Sequence, residues 1–361
     1  MAAAPAFVDQ QALRSLAMGA AVLSAGGGSF PYLEYLSAVE LIGGHPIPLL
    51  DVQALSDDAL VAIVGVAGAP LALLERFVDP EHFIRPVRTL ERYLGKTADV
   101  IMGVEIGSTN GIVPVIVAAG TQLPLLDADT FGRSWPQANM TSFALAGVPM
   151  TPLVLSDIRA NEVIITDAID GLWTEQILRG VTTTFGSIAS TCRACTGAAV
   201  KRHGIAGTYS RALRLGAAIL GAQAEHFDVI ADVLESEAGI LLARGKVVDV
   251  ERRVTQAFVR GEARIAPTDG GPPVSLLFQN EYSVVKIGGR PQCTVPDLIC
   301  VFDTVRGEPL GTEALRYGQQ VALVSLPAMT VHLTPAAMKV VGPRGFGYDF
   351  DYVSPHRGSK E

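Results

Sequence analysis

Cysteine is scarce, with four in 361 residues. Four thiols do not build a disulfide framework in a chain this long, so the sequence reads as a reduced, cytoplasmic protein. Charge is also sparse, at 18% of residues. Its balance is acidic, 28 basic against 36 acidic side chains, for a formal charge of −8. Without a basic footprint, non-specific nucleic-acid binding is excluded, and so is retention on anionic lipid by a basic patch. No stretch of about 18 apolar residues escapes interruption by Gly, Pro or a charge, so no membrane span is expected. The longest candidate, Ile112 to Leu126, is too short and carries Pro114 and Pro124. Met1 to Val8 has no basic region and runs into Asp9 and Gln10, unlike a secretory signal. Six histidines show neither HxH nor HExxH spacing, so no local motif demands a metal.

Apolar residues are plentiful, 49% of the total, with mean hydropathy +0.34. That is ample to offset the entropy of ordering, and the surplus implies an interface in a homo-oligomer. The length suits two domains. The patterning predicts an α/β domain with a mostly parallel sheet over residues 1–245 and a β-rich domain over residues 246–361. In the first, Asp9 caps a helix reaching Leu23, with Leu13, Leu16, Ala17, Ala20 and Leu23 at helical spacing. A second helix spans Tyr32 to Ile42. The continuous apolar runs Ala59 to Val66 and Val100 to Val104 read as strands buried on both faces. Asn110 to Ala119 reads as a helix with Pro114 in its first turn, followed by a short strand Pro124 to Leu126. Ser210 to Arg244 is the clearest helical region, interrupted near Phe227. From Val247, short β-like runs alternate with turns rich in Gly and Pro.

In open α/β sheets, ligands sit beyond the carboxyl ends of strands. Glu105, Asp127 and Asp129 fall there and are the candidates for base, acid or cation ligand. Arg133 follows them, suited to hold a substrate carboxylate or to serve as a structural ion-pair partner. Asn110 either faces the site or caps the next helix. Gly26-Gly27-Gly28 joins two helices. It is either a tight turn or a place where backbone N–H groups meet an anionic or carbonyl ligand. It follows no strand in G-x-G-x-x-G form and precedes no Gly-Lys-Ser/Thr, so it is neither a dinucleotide fingerprint nor a P-loop. Gln279-Asn280-Glu281 either lines a site at the domain junction or edges a strand. Cys192-Arg-Ala-Cys195 lacks a fourth zinc ligand and a thioredoxin-like setting, and reads as buried cysteines.

Ten strings stand in order along nearly the whole chain. They are Gly26-Gly-Gly28, Gly68-Ala-Pro70, Glu105-Ile-Gly107, Pro124 to Asp129, Gly132-Arg133 with Pro136 and Met140, Gly207-Thr208, Phe278-Gln-Asn-Glu281, Val295-Pro-Asp-Leu-Ile299, Leu315-Arg-Tyr-Gly318 and Gly342 to Asp349. Together they resemble the S-methyl-thiohydantoin desulfurase-like family, whose members occur beside hydantoinase or oxoprolinase genes. The resemblance implies an N-terminal α/β domain, a β-rich C-terminal domain, and hydrolysis of an S-methylated thiohydantoin to a hydantoin and methanethiol. Gly28-Ser29-Phe30-Pro31 and Glu105-Ile-Gly-Ser-Thr-Asn110 depart from the family's glycine patterns, which implies a substrate choice of the chain's own.

The expectation is a hydrolase acting on a small hydantoin-like ring. Asp127, Asp129 and Glu105 would do the chemistry, with Gly26, Gly27, Gly28, Asn110, Arg133, Asn280 and Glu281 around the substrate. A divalent metal stays open. The alternative is a non-catalytic partner subunit of a hydantoinase- or oxoprolinase-type enzyme.

Overall fold

The computed structural model describes residues 7–68, 78–225, 228–255 and 258–356. The first sheet has eight strands in the order Phe7–Val8, Ile47–Leu50, Leu125–Leu126, Val100–Gly103, Leu60–Gly68, Ile188–Thr196, Leu153–Ser156 and Glu162–Ile165. Parallel pairing joins the four strands from Ile47–Leu50 to Leu60–Gly68. Antiparallel strands extend the sheet on both sides. The run Val61 to Val64 is buried, as a strand covered on both faces must be.

Helix Gln10–Leu23 starts where Asp9 accepts the Ala12 N–H at 2.7 Å. Its apolar face packs on helix Thr208–Glu225, and the two cross where glycines face each other's backbone. A Cβ on Gly19 would lie 1.9 Å from the Ala212 carbonyl oxygen, and one on Gly216 would lie 1.8 Å from that of Ser15. Any side chain at either position pushes the helices apart. This helix layer lies between two sheets. One core cluster runs from Ile101 and Leu125, through Leu16 and Leu213, to Cys300, Phe302 and Val324. Each such Leu contributes about 1.5–3 kcal/mol by leaving water.

The second sheet is antiparallel throughout, in the order Arg290–Thr294, Glu281–Ile287, Val274–Gln279, Phe258–Pro267, Ile240–Thr255, Gln320–Leu326, Leu298–Asp303 and Glu308–Pro309. The chain is therefore α/β followed by a β-rich unit.

Some expectations change. Ile240 to Arg244 is strand, because it pairs with Gln320–Leu326, so the helical region ends with Val229–Ser236. The expected break near Phe227 lies outside the described residues, as do Ala69 and Pro70. Cys192-Arg-Ala-Cys195 lies in strand Ile188–Thr196, where residues three apart point to opposite faces. The helix expected from Asn110 begins earlier, at Ser108, after Gly107. Pro114 is therefore its seventh residue rather than part of its first turn, and Asn110 is inside the helix rather than its cap.

Candidate active site between the two domains

A cavity of about 240 Å³ opens beyond the carboxyl ends of the parallel strands Leu60–Gly68 and Val100–Gly103. Its wall takes Val66 and Gly68 from one strand end and Glu105 from beyond the other. The glycine turn, the start of helix Tyr32–Ile42, the start of helix Ser108–Thr121, the loop Phe131 to Ala138, helix Gly171–Thr184, and Asn280, Glu281 and Glu313 of the second domain also line it.

Glu105 is partly buried and lines the cavity. Oε1 accepts from the Asn110 amide at 2.6 Å and Oε2 from the Trp135 N–H at 3.2 Å. The Asn110 amide is oriented in turn, because its oxygen accepts the Val66 N–H at 2.7 Å and its nitrogen also reaches the Val66 carbonyl at 3.2 Å. Desolvation pushes the Glu105 carboxyl up to about 7, against the pull of these donors.

Glu281 is 5% exposed. Gly27 makes room for it, since a Cβ there would stand 2.9 Å from Oε1. Oε2 has no hydrogen-bond partner. Burial first, then the Glu105 charge, push this carboxyl up to about 8, and Arg133 opposes them. The two carboxyls thus differ in kind. Glu105 has an N–H donor on each oxygen, which suits the ionised form, whereas Glu281 holds one oxygen bare, which suits a proton.

The turn between the helices is bound to the second domain. The Ala25 and Gly26 carbonyls accept from the Tyr282 and Thr312 N–H groups, each at 2.9 Å. Gly26 has φ +95°, and the Tyr282 ring stands 2.5 Å from where its Cβ would be. Ser29 donates through its N–H and hydroxyl to Glu313 Oε1, at 2.9 and 2.6 Å.

Residues 11–167 match the S-Me-THD-like N-terminal domain, and residues 169–355 match the S-Me-THD-like C-terminal domain. The chain belongs to the S-Me-THD-like family. Among curated proteins none matches it. Among solved structures it is similar to the crystal structure of a protein from Chromobacterium violaceum, with 23% identity, a TM-score of 0.78, and coverage of 96% of this chain and 99% of that one. That likeness shows the fold.

Of the residues singled out in sequence, this S-Me-THD-like chain brings Gly27, Gly28, Glu105, Asn110, Asn280 and Glu281 to the cavity wall. Gly26, Asp127, Asp129 and Arg133 are not among its lining residues, and each has local work. Asp127 accepts from the Ser210 N–H at 3.0 Å and from its hydroxyl, and so caps helix Thr208–Glu225. Asp129 accepts the N–H groups of Ile106, Gly132 and Phe131 at 2.6, 2.7 and 3.2 Å, and so shapes the loop below the cavity. The Arg133 guanidinium donates to the carbonyls of Ser134, Pro296 and Asp297 and lies 4.0 Å over the Trp135 ring. Burial pushes it down to about 10.

Glu313, Glu175 and Arg179 line the cavity without having been singled out. Glu175 and Arg179, four apart on helix Gly171–Thr184, carry an i,i+4 charge signal; Glu313 carries none. Among the described residues, no group of three or more His, Cys, Asp or Glu could hold a metal ion, and no helix is long and apolar enough to cross a membrane.

Proposed function

We propose that this chain hydrolyses a hydantoin-like ring at a carbon bearing a thioether, as an S-methyl-thiohydantoin desulfurase does. The observation that carries the reading is the pair of unlike carboxyls, Glu105 and Glu281, on one cavity at a strand-end position.

Glu105 is the base. It takes a proton from water as the water oxygen bonds to the ring carbon, while Glu281 gives its proton to the ring nitrogen. The intermediate carries hydroxyl, thioether and N–H. The C–S bond then breaks, and sulfur leaves with the electron pair and takes the proton held by Glu105. The hydroxyl proton passes to Glu281, leaving a carbonyl, methanethiol and both carboxyls as they began. A base with pKa near the working pH combines availability with driving force.

Methanethiol release from a panel of S-methyl thiohydantoins, before and after chelator treatment, tests the reading. Release by the wild type and its loss in E105Q support it. No release from any ring, with metal resupplied, or full activity in E105Q, would sink it.

One observation favours the non-catalytic subunit reading. Leu172, Trp173 and Ile177 on helix Gly171–Thr184, with Ile169 just before it, expose apolar surface beside the cavity. Co-purification of a partner with a chain that releases no thiol would support it.

A further inference from the structure

The cavity wall has an electrical sign. Among the described lining residues, Glu34, Glu105, Glu175, Glu281 and Glu313 face one guanidinium, that of Arg179. Arg179 already donates to Glu175 Oε1 at 2.7 Å and to the Pro136 carbonyl at 2.9 Å. Two carboxyl oxygens on this wall, Glu281 Oε2 and Glu313 Oε2, are shielded from water and have no partner. A buried acceptor left unpaired in a protein is costly, and a ligand donor that reaches it recovers that loss. Glu281, at 5% exposure, is held in place from below by the bare backbone of Gly27.

Arg133 lies outside the lining, with three of its contacts to backbone carbonyls, and Arg179 on the wall is already engaged by Glu175 and the Pro136 carbonyl, so an anionic substrate tail would meet more carboxyls than cations here. A planar cation with N–H donors on one edge supplies both missing things, charge and hydrogen bonds.

We propose that the cavity binds its substrate as an amidinium-type cation, a protonated S-alkyl isothiourea edge without a carboxylate tail, held by the free oxygens of Glu281 and Glu313. The inference rests on the hydrolase reading for the ring's identity but not for the charge. Protonation of the ring nitrogen by Glu281 produces this cation from a neutral ring, and the carboxylate left behind is its counterion.

The test is calorimetric titration of the full-length chain with S-methylisothiouronium and with acetamidinium, and acetate as the anionic control. It is paired with thiol release from two S-methyl thiohydantoins, one with an aminomethyl and one with a carboxymethyl tail. The cations should bind and acetate should not. E281Q should weaken both cations at least tenfold and E313Q severalfold, so one variant serves if the other does not fold. The aminomethyl ring should exceed the carboxymethyl ring at least tenfold in kcat/KM.

Absence of cation binding by the wild type, binding unchanged in both variants, or preference for the carboxymethyl ring overturns the proposal. Cation binding with no thiol released from either ring supports the cation site while removing the hydrolase reading. Thiol release without cation binding keeps the hydrolase and removes the cation site.

Discussion

Replacing Glu281 with glutamine should stabilise the protein at alkaline pH while abolishing its chemistry. The native carboxyl holds its proton up to about 8, against an ordinary value of 4.5. Between those values the folded state binds a proton that the unfolded chain has released, so wild-type stability falls as pH rises through this window. A difference of 3.5 units at about 1.36 kcal/mol each gives about 5 kcal/mol. Glutamine has the same shape and no charge to desolvate, so E281Q lacks the slope. The two proteins should melt together near pH 4. By pH 9 the variant should lead by up to about 6 °C, taking an unfolding entropy of roughly 2.1 cal/mol/K per residue. Glu105 contributes to the shift, so E105Q should flatten part of the same slope. The assay is thermal unfolding of wild type and E281Q from pH 4 to 9, beside thiol release, where a loss of 100-fold or more is expected. Parallel melting curves across that range, or a variant less stable than wild type at pH 9, would refute the reasoning.

Other outcomes follow from the same contacts. N110A removes a donor from Glu105, a hydrogen bond to a charged group that contributes about 1.5–3 kcal/mol. The Glu105 carboxyl should rise by roughly 1–2 units, so the acid limb of the kcat/KM profile moves up by that much; an unmoved limb would count against Glu105 as the base. D127N weakens the cap of helix Thr208–Glu225 and should lower stability by about 1 kcal/mol in urea unfolding; an unchanged midpoint would remove the capping role. Burial raises all four thiols, with Cys195 pushed up to about 11 and Cys300 to about 12. A disulfide reagent should therefore label the native chain slowly and all four thiols after denaturation, whereas rapid native labelling would contradict that environment.

The elements that repeat a local pattern were legible. The helix capped by Asp9, the helix Tyr32–Ile42 and the apolar strand ending near Val66 lie where their periodicity puts them, and the short β-like runs after Val247 form the second sheet. The strand-end rule also points to the side of the sheet where the cavity opens. It could not choose among the acidic residues there, because that choice is tertiary. Asp127 faces a helix start 83 residues away, and Glu105 faces a cavity whose far wall is Glu281. Asn110 reads as a cap or as a site residue because it lies between a strand end and an apolar run, and its side chain joins Val66, 44 residues back, to Glu105. Ile240 to Arg244 continues an apolar spacing, and only pairing with Gln320–Leu326 makes it strand. Glu313 had no signal at all, since its role comes from Ser29, 284 residues distant.

The bonds from Ala25, Gly26 and Ser29 to Tyr282, Thr312 and Glu313 bear on inheritance. Each half of the chain carries one carboxyl of the proposed pair, and Gly27 of the first half makes the room that Glu281 of the second occupies. A new partner for either half would arrive with half a site and an unmatched turn. The two halves of this gene are therefore expected to change in step, with altered specificity arising from paired substitutions across the seam and not from exchange of one half.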